Sequence, residues 1–286
     1  LLFSVQKYDL IIIEKEIFPY LPAFAEWFLS KVNSYWVDYD DAVFHNYDQK
    51  DNFMVNLLMP KKIDHVMKMA NRVIVGNDYL KKRAEVAGAK KIEVFPTVID
   101  PKKYKVKEDQ SPFKTITIGW IGSPSTLKYL DPIVPILDWI HEHYSIKFLL
   151  VNGKSKMKFK GRIESIPWTE DGEVEAILKM DIGIMPLPDN PWERGKCAYK
   201  LIQYMACGLP VVASPIGMNK DVVIHGENGF LANSKEEWIS ALGKLITDPQ
   251  LRKEFGYKGR EKVLKEFTME GNFYRYKKLV ELELGD

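Results

Sequence analysis

The sequence predicts an α/β fold built on parallel sheets, and three observations carry that prediction. Short apolar runs recur along the 286 residues. Several of them, such as LIII at 10–13, RVIV at 72–75 and PVVA at 210–213, are apolar on both sides of the pleat. That is the pattern of strands covered by helices on both faces. Helix-length segments separate most of these runs, so the chain reads as alternating βα units.

In chain order, strands are expected at Asp9–Ile13, Tyr35–Tyr39, Arg72–Val75 and Ile92–Phe95. Four more follow at Thr115–Ile121, Lys147–Val151, Asp181–Met185 and Pro210–Ala213. Between the two sets lies IDPKKYKVKEDQSP, residues 99–112, which is polar, carries Pro near both ends and has no periodicity. It reads as a linker and divides the chain into domains at 1–107 and 108–271. Four strands are few for an open α/β domain, so sequence upstream of Leu1 is expected. Near the end, Ser234-Lys-Glu-Glu237 forms a capping box. Trp238, Ala241, Leu242, Leu245 and Ile246 follow it at helical spacing. Lys154, Lys156, Lys158, Lys160 and Arg162 alternate through an extended stretch, the pattern of a solvated edge that resists mis-pairing.

Composition excludes several classes. The chain is 46% hydrophobic and 28% charged, with 41 Lys+Arg against 39 Asp+Glu. A formal charge of +2 lacks the basic excess of a nucleic-acid binder. The two cysteines, Cys197 and Cys207, make neither a disulfide framework nor a metal knot, and they point to a reducing, cytoplasmic setting. No apolar run is long enough to span a bilayer, and LLFSVQKYDLIII lacks the charged start of a signal peptide. Basic segments at Lys81–Arg83 and Lys102–Lys107 can touch anionic lipid at the inner face of a membrane, the ordinary alternative being plain solvation.

Three constellations can carry chemistry. RGKCAYKLIQYMACGLPVVASPIG, residues 194–217, reads as a helix running into a buried strand. Lys196 and Lys200 are four apart and share a helical face that Gln203 continues. A helix N-terminus already carries about half a positive charge, so each lysine there is unfavourable by roughly 0.3–1 kcal/mol. Either they reach into water or an external anion compensates them. In TITIGWIGSPSTLKYL, a strand ends at Gly122 and the turn holds Ser123, Ser125 and Thr126 before a helix bearing Lys128. Glycine admits close backbone approach and helix-start N–H groups bind anions. An ordinary Ser/Thr-capped βα loop has the same composition. In WVDYDDAVFH, Asp38, Asp40 and Asp41 follow a strand, where carboxylates act as bases, hold metals or orient sugar hydroxyls; they also cap helices and solvate loops. His45 is an acid–base candidate, although a lone histidine is more often structural.

Over residues 115–270 the sequence resembles the family 4 retaining glycosyltransferases of the GT-B fold. The resemblance is carried by IGWIGSPSTLKYL, DIGIMPL, KLIQYMACGLPVVASPIGMNKDVVIHGENGFLANSKEEW and LRKEFGYKGREKV. KMANRVIVGNDYLKKRAEVAGAKKIEVFPTVIDPKKY is similar to the end of that family's N-terminal domain. The resemblance implies two Rossmann-like domains facing across a cleft, the first incomplete here, with the final helix, 272–286, returning to it. It implies transfer of a sugar from a nucleoside-diphosphate sugar to a sugar, lipid-linked or other acceptor, with retention; lysines and helix N–H groups at the diphosphate would leave no need for a metal, and no cofactor is expected.

The family's E-x7-E motif binds ribose through its second Glu, which Gln203 replaces. Its first Glu falls on Gly195, with Glu193 two residues earlier as the candidate sugar contact. The family's phosphate-binding Arg and Lys fall on Ser123 and Lys128, and its His–Asp pair falls near Asp40 and Asp41. On this reading Lys128, Lys196 and Lys200 hold the diphosphate, with Gly122, Ser123, Ser125, Thr126 and Gly195 lining it. Asp40, Asp41, Glu193 and Lys196 are the catalytic candidates. The departures from E-x7-E keep open a non-catalytic, nucleotide-sugar-binding paralogue. A nucleotide-dependent oxidoreductase would need the dinucleotide glycine fingerprint, which the sequence lacks.

Overall fold

A computed structural model describes residues 5–49, 53–108, 115–152 and 157–285. The chain divides into two compact units, one comprising Leu1–Thr97, Asp189–Cys197 and Phe273–Asp286, the other Val98–Pro188 and Ala198–Asn272. Each holds one parallel sheet.

In unit 1 the strands β1 (Ile11–Glu14), β2 (Tyr35–Tyr39), β3 (Arg72–Val75) and β4 (Ile92–Val94) lie in chain order, β1-β2-β3-β4. The register sets Ile13 against Val37 and Val37 against Val73. β3 is buried throughout, as RVIV demands. Helices Phe24–Val32, Lys62–Met69 and Asp78–Ala87 connect these strands. Asp78–Ala87 starts where the Asn77 side chain accepts the Leu80 N–H at 3.0 Å, and it stops at Gly88, whose φ of 78° is cheap only for glycine. From Phe273 onward, the helix Met269–Leu284 also belongs to this unit. Tyr276 meets Trp36 and Phe95 edge-on at 6.1 and 5.5 Å, and Glu283 pairs with the buried Arg72 at 3.3 Å.

In unit 2 the strands are β5 (Ile116–Ile121), β6 (Ile146–Val151), β7 (Ile163–Ile166), β8 (Ile182–Met185), β9 (Val211–Ala213) and β10 (Gly229–Leu231). Their spatial order is β10-β9-β8-β5-β6-β7. The chain builds outward from β5 to β7, then returns to the other side of β5 with β8. That reversal makes the β5/β8 boundary a topological switch point, where α/β sheets bind ligands outside the strand ends. Trp120, Phe148, Leu150, Ile184, Trp238, Leu242 and Phe255 form one buried core. The capping box is present: Ser234 accepts from the Glu237 N–H and the Glu237 carboxylate accepts from Ser234 N–H.

The predicted strands correspond to observed ones within about two residues. Two strands carry too little apolar signal to be legible. β7 (IESI) is an edge strand with one face in water, and β10 spans only three residues. Before β7, Lys158 and Lys160 point outward around the buried Phe159; Lys154 and Lys156 lie outside the described residues. The expected linker is a correction. Its first part packs into unit 2, where Ile99 bridges Thr268, Tyr104 is buried and Lys107 pairs with buried Asp181 at 3.2 Å. Pro112 lies outside the described residues.

Candidate functional site

At the carboxyl end of β5, Gly122 faces Lys200. A Cβ built on Gly122 would stand 2.4 Å from the Trp120 ring and 2.6 Å from the Lys200 ammonium, so only glycine fits. Lys200 sits on the helix Tyr199–Ala206, its ammonium 4.3 Å from the Trp120 ring centroid, a cation–π geometry. The helix is fixed there by Tyr204, which packs its ring on Gly183 of β8 while its hydroxyl accepts the Ile121 N–H at 2.9 Å. Past Gly122, the Ser123 hydroxyl lies 2.9 Å from that of Ser125 and 3.3 Å from that of Thr126, and makes no cap bond to the backbone. The helix that bears Lys128, Pro124–Ile133, is a 3-10 helix, with Lys128 exposed and 5.6 Å from the Tyr129 ring.

Three residues further along the Lys200 helix, Gln203 is buried at 2% exposure. Its Nε2 donates to the Glu173 carboxylate and, at 3.2 Å, to the Tyr104 hydroxyl. A carboxylate accepts only, so the amide must present its nitrogen to Glu173, and its oxygen faces elsewhere. The other Glu173 oxygen accepts the Trp168 indole N–H at 2.7 Å. Burial pushes the Tyr104 hydroxyl far above its usual range, which keeps it protonated. Gln203's partners Tyr104 and Glu173, with Trp168 and Tyr199, line a cavity of about 630 Å³. Sequence reasoning named none of the four individually, although the loop Glu164–Asp171, in which Trp168 lies, is one it expects to set the choice of sugar and base. The signal available was position, since Trp168 and Glu173 follow a strand and Tyr199 opens the helix that carries Gln203.

Unit 1 holds the remaining candidates. Lys196 and Lys200 do not share a helical face. The helix begins at Tyr199, after Ala198 in the left-handed region (φ 57°), and Lys196 falls in the other unit, where it pairs with Asp41 at 3.0 Å. Asp40 pairs with Lys15 at 3.1 Å. Gly195 starts no long helix. It ends a short turn, Pro191–Arg194, that opens on Pro191, and a side chain on it would meet the Ala42 Cβ at 2.5 Å. Where the resemblance expects a carboxylate, the backbone leaves no room. Glu193 is buried, and Asn77 ties the segment down by donating to the Gly195 carbonyl at 2.9 Å. Burial raises Asp38 to about 6, helped by the nearby Asp40 and Glu14 charges. Cys197 donates to the Asp40 carbonyl at 3.0 Å and is pushed up to about 12, chiefly by burial.

His45 is buried between Asp48 (Nδ1, 2.7 Å) and the Tyr79 hydroxyl (Nε2, 2.8 Å), with Arg83 joining Asp48 to Asp64. The basic segments offered for lipid contact are partly consumed internally, Arg83 in this network and Lys107 with Asp181. Among the described residues, no group of three or more His, Cys, Asp or Glu is placed to hold a metal ion, and no helix is long and apolar enough to cross a membrane.

The fold and the switch-point site define an α/β chain with two parallel sheets that matches GT-B glycosyltransferases. Residues 115–248 match the family described as Glycosyl transferases group 1. Among curated proteins, the chain is 36% identical over 94 residues to an uncharacterized glycosyltransferase (MJ1069) of Methanocaldococcus jannaschii, covering 32% of this chain and 24% of that protein. It is 27% identical over 167 residues to the putative teichuronic acid biosynthesis glycosyltransferase TuaH of Bacillus subtilis, covering 52% and 41%. The matches span between 17% and 41% of the lengths of these curated relatives. Among solved structures, Anabaena HepE in complex with UDP and glucose superposes with a TM-score of 0.74 at 16% identity, covering 98% of this chain and 79% of that one. Sucrose-phosphate synthase from Thermosynechococcus elongatus gives 0.72 at 17% identity, covering 96% and 74%. At these identities the likeness is one of fold.

Proposed function

We propose that the chain transfers a sugar from a nucleoside-diphosphate sugar to an acceptor, and that unit 2 binds the donor. One observation carries this reading: the Lys200 ammonium is laid against Gly122 at the switch point, the glycine from which the Ser123–Thr126 hydroxyl turn starts. A diphosphate placed there meets a cation, hydroxyl donors and a helix start, the means by which charge growing on a leaving diphosphate is stabilised. Lys128 adds a second cation from the same turn. Gln203, its nitrogen committed to Glu173 and Tyr104, offers its oxygen to a ribose hydroxyl, and the aromatic-walled cavity takes the base. That wall of Trp168, Tyr104 and Tyr199 suits a planar ring. The similarity of the 115–248 region to group 1 glycosyl transferases and the UDP-bearing fold relative support the same assignment.

Asp40, Asp41 and Glu193 are assigned to the acceptor and sugar, with Lys196 orienting Asp41. Retention of configuration follows the sequence resemblance, and the lysines are proposed to do the work a metal would otherwise do. A panel of UDP, GDP, ADP and CMP in thermal denaturation tests the reading, since a ligand of the folded state raises Tm with concentration. At least one should stabilise the chain, and Lys200→Ala should abolish that shift. No shift with any of them overturns it. The fit of Gly195 against Ala42, which excludes the first motif carboxylate, favours as second reading a paralogue that binds donor without turnover. Donor hydrolysis lost on Lys200→Ala separates the two.

A further inference from the structure

In the cavity assigned above to the base, the neutral side-chain donors of the wall are already committed, and Glu173 collects them. Its Oε1 accepts from the Gln203 amide and, at 3.3 Å, from the Tyr104 hydroxyl, while its Oε2 accepts the Trp168 indole N–H at 2.7 Å. The second hydrogen of the Gln203 amide goes to the Tyr104 oxygen at 3.2 Å. The Tyr199 hydroxyl in turn meets that of Tyr104. The rings themselves stay open to stacking, Trp168 at 44% exposure and Tyr199 at 42%. The wall thus offers a base aromatic faces whose own polar hydrogens are turned onto one another.

Most of what remains on the wall accepts. Glu170 and Asp171 follow Trp168 by two and three residues, line the cavity and are exposed. Among the described residues neither side chain is paired with another group. Two cations also line the cavity. Lys105 faces Glu175 at 3.5 Å, and Lys103 is exposed. An ammonium is a point charge that binds a carbonyl oxygen on guanine and on uracil alike, so it does not choose between them.

Nucleobases answer such a wall differently at their Watson–Crick edges. Uracil flanks its one N–H with two carbonyl oxygens, which carboxylates repel. Adenine and cytosine set a bare ring nitrogen beside the amino group, and a carboxylate repels that nitrogen too. Guanine places two N–H donors side by side, N1–H and the 2-amino group, where the two oxygens of one carboxylate accept both. A site that hydrogen-bonds a donor rejects an analogue lacking it far more strongly than an apolar pocket does, because its polar groups are left unpaired.

We propose that the donor is a guanosine-diphosphate sugar, its base stacked on the Trp168 wall and its N1–H and 2-amino group donating to the Glu170–Asp171 carboxylates. The proposal rests on the donor reading of unit 2 and adds to it the identity of the base.

Titration calorimetry of the full chain with GDP, IDP, ADP and UDP tests it, IDP being the analogue of GDP without the 2-amino group. GDP should bind at least about tenfold more tightly than each of the others. Glu170→Gln with Asp171→Asn should bring GDP to the level of IDP and leave the unliganded Tm unchanged, since both side chains are exposed and both replacements keep their shape. Three results overturn the proposal while leaving the donor reading in place: UDP or ADP binding as tightly as GDP, IDP matching GDP, or a double variant that keeps the preference. Binding of none of the four overturns the donor reading itself, and this proposal with it.

Discussion

The two sheets build their carboxyl edges differently. In unit 1 the strands run in simple sequence, and the cations near their ends are met by carboxylates of the same unit, Lys15 by Asp40 and Lys196 by Asp41. In unit 2 the strand order doubles back at β5, and the Lys200 ammonium is set against the Trp120 indole and Gly122, the glycine that leads into the hydroxyl turn Ser123–Thr126. A neutralised edge suits a substrate rich in hydroxyls, read by hydrogen bonds. A switch point that gathers a lysine, a glycine and a hydroxyl turn suits an anion. Two lysines four residues apart in sequence thus have different surroundings, because Ala198, in the left-handed region, interrupts the helix between them.

The largest effect should come from breaking the scaffold that presents Lys200. In Gly183→Val, a Cβ would stand 2.4 Å from the Tyr204 ring, so the variant must displace the side chain that holds the helix on β5. Overpacking of this kind costs about 3 kcal/mol. Urea unfolding of the variant should show that loss, and an undiminished midpoint would mean the helix is anchored elsewhere. The next effect separates the lysines. Lys200→Ala removes a charge-assisted contact of about 1.5–3 kcal/mol, weakening nucleoside diphosphate roughly ten- to hundredfold in titration calorimetry. Lys196→Ala should leave that affinity within about threefold. Equal losses would erase the contrast drawn between the two edges.

Periodicity revealed most of the fold because buried parallel strands leave an unbroken apolar signature, as in RVIV at β3 and in the ITIGWI of β5. β7 and β10 stayed hidden because an edge strand and a three-residue strand bury too little to leave one. At the site, the strand–Gly–hydroxyl turn was legible, since close backbone approach restricts position 122 to glycine. The Lys196–Lys200 pair was misjudged because spacing alone assumes an unbroken helix, and a left-handed alanine has no compositional signal. The Gln203–Glu173–Tyr104 network joins residues up to 99 apart in sequence, and no local pattern reports such a contact.

A smaller effect probes the unit 1 edge through Asp38, raised to about 6. The folded chain keeps this proton where the unfolded chain, near 3.8, has lost it. Stability therefore falls as pH rises from about 4 to 6, and above that the penalty is fully present. Asp38→Asn lacks the penalty. Its advantage over the unaltered chain should be absent near pH 4 and reach about 1–2 kcal/mol by pH 7, after allowance for residual solvation. Urea midpoints across that range check the slope, and a pH-independent difference would place Asp38 in water.

The smallest effect expected is an absence of reaction, and it compares the units directly. Cys197 in unit 1 and Cys207 in unit 2 are both buried, and burial pushes each up to about 12. Only the thiolate attacks an alkylating reagent, so at pH 8 the reactive fraction of each is on the order of 10⁻⁴. Iodoacetamide should label neither in the native chain within an hour and both after unfolding. In mild urea the order of labelling then reports which unit opens first. Unit 1 rests on a four-stranded sheet and leaves large hydrophobics in water, whereas unit 2 has six strands around one core. Cys197 should therefore label before Cys207, and the reverse order would show that unit 2 opens first.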